Sequence, residues 1–122
     1  MNDLSTRPDP STVLLTLVVS PEQAEAMIDW LLDHPAVQGF SSQDGSGHGS
    51  DPRRLNVEEQ VVGRRPRMFF TLLLSASAAP DLLVQLRTDF AGREVHYWLT
   101  PVLDSGRLDQ DGGGGSPGMK KG

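Results

Sequence analysis

The side chains best suited to chemistry lie between Ser41 and Pro66, in SSQDGSGHGSDPRRLNVEEQVVGRRP. There, Gly45, Gly47 and Gly49 surround His48. Small residues of this kind let backbone amides approach an anion, or free an imidazole to bind a metal ion or a partner; they also serve simply as a hinge. The same stretch and the residue after it hold Arg53, Arg54, Arg64, Arg65 and Arg67, interleaved with Asp44, Asp51, Glu58 and Glu59. This mixture reads either as a solvated surface or as a site for an anion or acidic partner. His34, His48 and His96 are the only histidines. A tight transition-metal site needs two or more imidazoles converging with a carboxylate, and no i, i+4 pair supplies them. His48 is the metal candidate, with a divalent ion as its candidate ligand and no certain cofactor. No Ser/His/Asp spacing supports a triad, and Glu58-Glu59 sit where burial cannot tune a carboxylate, so the chain reads as a non-enzyme.

The elements that must position these groups follow from periodicity. Val13 to Val19 is a strand apolar on both faces. Ser20-Pro21-Glu22-Gln23 starts a helix, with an N-cap, proline at the first position and a capping-box glutamine. Ala24, Met27, Ile28, Leu31 and Leu32 form its inner stripe, which ends at His34-Pro35. His34 faces the negative end of that helix dipole. Trp30 lies off the stripe, partly exposed or a partner contact. Val37 to about Ser42 reads as a second strand, and Arg67 to Ala76 as a third, again apolar on both sides. A second helix from Ser77 or Pro80 turns Leu83, Leu86 and Phe90 inward and stops at Gly92. Val95 to Leu103 is a fourth strand, bent or at the sheet edge at Pro101, and Val102 to Leu108 suggests a short extra strand.

The succession β-α-β-β-α-β predicts an α+β, ferredoxin-like sandwich spanning residues 13–108, with a long loop at 41–66 between strands two and three. Residues 1–12 and the Gly-rich segment 109–122 are expected to be disordered arms. The loop's 26 residues exceed any hairpin connection. Its closure costs only about 1.7 kcal/mol more than a four-residue turn, whereas ordering it costs roughly 1–2 kcal/mol per residue. It is expected to be mobile until something binds it, with Val57 to Val62 able to form a turn or two of helix. Two helices cover one face of such a sheet. The other face should be wet, yet strands one and three are apolar on both sides and His96 and Trp98 alternate with Val95, Tyr97 and Leu99. A second copy of the chain is the simplest cover, which makes His96 and Trp98 oligomer-interface candidates.

A net charge of −5 and a pI near 5.0 argue against nucleic acid or an anionic membrane as partner. The absence of cysteine removes disulfides, thiolate sites and thiol nucleophiles. No basic, hydrophobic leader and no run near 18 apolar residues is present, so a cytoplasmic protein without membrane insertion is expected.

Four stretches carry a family resemblance: Asp29-Trp30-Leu31-Leu32; Val37-Gln38-Gly39-Phe40 leading to Gly47-His48-Gly49; Glu59-Gln60-Val61-Val62-Gly63-Arg64-Arg65-Pro66-Arg67; and His96-Tyr97-Trp98-Leu99-Thr100-Pro101-Val102. Together they resemble an uncharacterised bacterial family of PII-like signalling proteins, often encoded beside heavy-metal efflux systems. The resemblance implies a homotrimer with sheets turned inward. It also implies a regulatory role in which the loop senses a small ligand or metal and docks on a partner, an efflux or other membrane protein among the candidates. Gly47, His48, Gly49, Glu59, Gln60, Gly63, Arg64 and Arg65 are its ligand- or partner-binding candidates. A direct metal-binding or metal-carrier protein using His48 is the alternative. The turn Ala91-Gly92-Arg93-Glu94 lacks the lysine of nucleotide-binding PII proteins, and the loop has no tyrosine for modification. Val37-Gln38-Gly39-Phe40 also resembles an acylphosphatase phosphate loop, but it follows the first helix and no suitable arginine comes after it. Met68-Phe69-Phe70 suits an RNA-recognition sheet, but the first strand has no aromatic and the charge is wrong.

Overall fold

The computed structural model describes residues 11–48 and 64–109. Its elements are β1 (Thr12–Val19), α1 (Pro21–Asp33), β2 (Ser41–Gly47), β3 (Arg65–Ser75), α2 (Ala79–Asp89) and β4 (His96–Pro101). The strands form one antiparallel sheet in the order β2-β3-β1-β4, so β1 and β3, apolar on both sides, are central, and β2 and β4 are edges. This is an α+β fold with a four-stranded sheet and two helices. The terminal arms and the expected helical turns at 57–62 lie outside the described residues.

Alternation on β1 divides the sheet into two faces. Leu15, Leu17 and Val19, opposite Leu72, Phe70 and Met68 on β3, face the helices and join Met27, Leu31, Leu82 and Leu86 in the core. Each fully buried aliphatic or aromatic side chain contributes about 1.5–3 kcal/mol relative to exposure. Leu14, Thr16 and Val18, opposite Leu73, Thr71 and Phe69, take the other face, together with Thr100, Trp98 and His96 of β4. Thr16 and Val18 are buried there with no helix over them, walled in by larger neighbours on both flanking strands. Leu73 and Trp98 are left 48% and 47% exposed, so with Leu14 and Phe69 they make the open face partly apolar, interspersed with Thr71 and Thr100.

Several expectations change in detail. Proline does open α1, but Ser20 makes no side-chain cap: the backbone N–H of Gln23 bonds to the Ser20 carbonyl, and the Gln23 amide oxygen instead accepts from Arg93. Leu32, placed on the inner stripe by spacing, is 71% exposed because 100° per residue carries it past the edge of the core-facing arc set by Ala24, Met27 and Leu31. Helix α2 ends at Asp89, and Gly92, at φ 81°, takes the left-handed conformation in the turn that follows. The fourth strand stops at Pro101. After it a bond from Val102 N–H to the Thr12 carbonyl extends the pairing, and residues 103–109 are in no strand.

The largest correction concerns β2. The segment Val37 to Phe40 is irregular, though Val37 and Phe40 still pack on the core, and the strand is Ser41–Gly47, which shares only Ser41 and Ser42 with the expected strand and otherwise lies in the expected loop. SSQDGSG has almost no strand propensity, but an exposed edge strand is held mainly by backbone pairing, and this one pairs with β3 from Ser41↔Thr71 to Gly47↔Arg65. Gly45 has a steric role in it. A Cβ there would lie 2.5 Å from Cε1 and 2.9 Å from Cδ1 of Phe69, whose ring covers the glycine. Gly45→Val is therefore expected to destabilise by about 1–3 kcal/mol, lowering the melting temperature by at least several degrees. Gly39→Ala, where nothing lies within 4 Å, should be neutral or slightly stabilising. Thermal melts of the two variants check this; equal melting would remove the steric role of Gly45.

Candidate functional site at the root of the β2–β3 segment

Because β2 and β3 end in step at Gly47↔Arg65, the intervening segment leaves and rejoins the sheet at one place. Gly47 is a paired strand residue rather than a hinge. His48 follows it, exposed, and Arg64 stands exposed just before β3. Gly49, Glu59, Gln60 and Gly63 lie outside the described residues.

Arg65 continues the open-face alternation of Phe69, Thr71 and Leu73, and its side chain is only 19% exposed. Its Nη2 lies 3.6 Å from Glu94 Oε1, and the other carboxylate oxygen of Glu94 accepts from His96 Nε2 at 3.0 Å. β1 ends at Val19, opposite Met68, so Arg65 reaches past that end to the start of β4. The result is a chain of charge from the root of the segment, through Glu94, to the strand that carries Trp98. Among the described residues, Arg64, Arg65 and Arg67 crowd the start of β3, and Arg67 Nη1 donates to the Pro66 carbonyl, a neutral partner. Such an end of a sheet can hold an anion or an acidic partner surface. The partly exposed Arg65–Glu94 pair itself contributes at most about 1 kcal/mol.

The sequence singled out Arg65 and His96 but passed over Glu94. The signal available was its i, i+2 spacing from His96, which places the two on one side of an extended chain. Among the described residues, no group of three or more His, Asp or Glu side chains is arranged to hold a metal ion.

Trp30 and His34 belong to a second place, between the helices. Trp30 Nε1 donates to Asp89 Oδ2 at 2.6 Å, and the half-buried ring packs edge-on against Phe90, which ties this residue to the core. His34 is the C-cap of α1. Its Nδ1 accepts from the Ala36 N–H at 3.1 Å, so Nε2 carries the proton and donates to Gln85 Oε1 at 2.9 Å. That geometry makes it a bridge from α1 to α2 and the chain beyond the cap.

A family model described as "Protein of unknown function (DUF3240)" matches residues 10–109. The chain belongs to the DUF3240 family. The crystal structure of a DUF3240 family protein from Shewanella baltica OS155, at 21% identity, superposes with a TM-score of 0.66 over 80% of this chain and 97% of that one. A functionally unknown protein from Pediococcus pentosaceus ATCC 25745 gives 0.54 at 13% identity, covering 80% of this DUF3240 protein and 98% of that chain. A Bacillus cereus protein related to NIF3 gives 0.53 at 16% identity over 84% of this chain but only 29% of its own length. These likenesses are of fold. No curated sequence matches the DUF3240 protein. No helix among its described residues is long and apolar enough to cross a membrane.

Proposed function

We propose that this DUF3240 protein is a cytoplasmic PII-like regulator. In this reading, ferredoxin-like subunits assemble as a trimer with their open sheet faces inward. The segment between β2 and β3 senses a small ligand or metal ion and docks on a partner, for which a heavy-metal efflux component is the leading candidate. The observation that supports it most is the open sheet face. Leu14, Phe69, Leu73 and Trp98 make it partly apolar, which suits a surface shared by copies of one chain. The charged root at Arg65, Glu94 and His96 lies at one end of that face, so assembly would bring three such roots close to the symmetry axis. The metal part of the reading rests on His48 and the resemblance alone.

Light scattering at micromolar concentration should report a mass near three times 13.2 kDa. A monomer at that concentration would overturn the assembly and most of the regulatory reading. A thermal-shift panel of divalent metals and adenine nucleotides then tests for the ligand. One present at 100 times its dissociation constant adds about 2.7 kcal/mol of stability, or roughly 10 °C or more. No shift from any member would remove metals and adenine nucleotides from the proposal.

A further inference from the structure

Between the C-terminal half of α2 and β4 the helical layer leaves a cavity of about 260 Å³. Its inner wall is Leu17, Leu83, Leu86 and Phe90, all buried. Its rim carries Arg87, Arg93 and Tyr97, and among the described residues no carboxylate lines it, although the chain as a whole has a net charge of −5. Both arginines are oriented by neutral partners. Arg87 Nη2 donates to Tyr97 Oη at 2.8 Å, and Arg93 Nη1 donates to Gln23 Oε1 at 3.2 Å while its guanidinium lies 5.4 Å from the Phe90 ring centroid. The left-handed Gly92 makes the second placement possible, since the chain turns back with Arg93 N–H bonded to the Phe90 carbonyl. A guanidinium has five N–H donors, and each of these bonds engages a single one.

The geometry points to a binding site for a small carboxylate with an apolar body, the body lying against Leu83, Leu86 and Phe90 and the carboxylate held between Arg87 and Arg93. An apolar wall with a few convergent polar groups at its mouth is the usual composition of a ligand site. Two fixed guanidinium groups favour a carboxylate over a neutral head, because charge-assisted bonds are roughly twice as strong as neutral ones. Size sets the class further. A cavity of about 260 Å³ is on the scale of a small aromatic acid such as benzoate. The cavity opens on the helix side of the sheet and the charged root lies on the other, so this site stands or falls independently of the regulatory reading.

Tyr97 is the chain's only tyrosine, so its ring resonances report on this cavity alone. In an NMR titration of the full chain, benzoate should shift them saturably with one site per chain. Benzamide, of the same shape without the charge, and acetate, the head without the body, should bind at least about tenfold more weakly. The exposed pair Arg87→Gln and Arg93→Gln, combined, should weaken benzoate about tenfold or more and leave benzamide unchanged. The site is overturned if Tyr97 does not respond, if benzamide matches benzoate on the unmodified chain, or if the double variant binds benzoate as before.

Discussion

If copies of the chain meet through the open sheet face, Trp98→Asp is expected to leave folded single chains, while Leu32→Asp keeps the mass of the parent. Both residues are exposed in the single chain, so neither substitution removes core. They differ in address. Trp98 stands opposite Thr16 on the open sheet face, and Leu32 lies on the outside of α1. A carboxylate in the middle of an apolar contact is buried without a partner, and loss of a central tryptophan commonly costs at least about 2 kcal/mol, roughly thirtyfold in dissociation constant, at every interface it serves. Trp30 is a poor control despite its matching chemistry, because its bond to Asp89 and its packing on Phe90 make it part of the fold. Size exclusion with light scattering over a dilution series reads the result. If both variants keep the parent mass, the open face is not where copies meet.

Phe70→Ala should cost about 3–5 kcal/mol and lower the melting temperature by roughly 15–30 °C, whereas Phe69→Ala, one residue away on the open face, should cost clearly less. Phe70 is fully buried, pairs with Leu17 across the ladder and meets Phe40 edge-on at 6.0 Å, so truncation leaves a cavity that neighbouring backbone cannot fill. Phe69 points to the other side, over Gly45 and opposite Val18. A domain of this size holds only about 5–15 kcal/mol in total, so the first loss consumes much of its stability. Melts under conditions where both variants are monomeric separate the two. Equal losses would mean that Phe69 is core as well and that the face assignment is wrong.

The parts legible in the sequence are those whose burial repeats with a fixed period. The stripe Ala24, Met27 and Leu31 located α1, and the run from Met68 to Leu74 located β3. The alternation of β4 placed His96 and Trp98 together, and the register bears this out by setting them opposite Val18 and Thr16. Strand β2 was illegible because it contains no large apolar side chain. Its place is set by the backbone of β3, which leaves no mark on composition. The site was half legible for a related reason. Arg65 and Glu94 meet around the end of an intervening strand, and nothing in the spacing of either residue records that closure.

The Arg65–Glu94 contact also bounds how strongly the two ends of this charged chain can speak to each other. Arg65 is the first residue of β3 after the long segment, and Glu94 leads into β4, so this polar handshake links the root of the segment to the edge strand that carries Trp98. Worth at most about 1 kcal/mol, that handshake alone can change an affinity at the far end by no more than roughly fivefold. Communication by this route would be a dimmer rather than a switch.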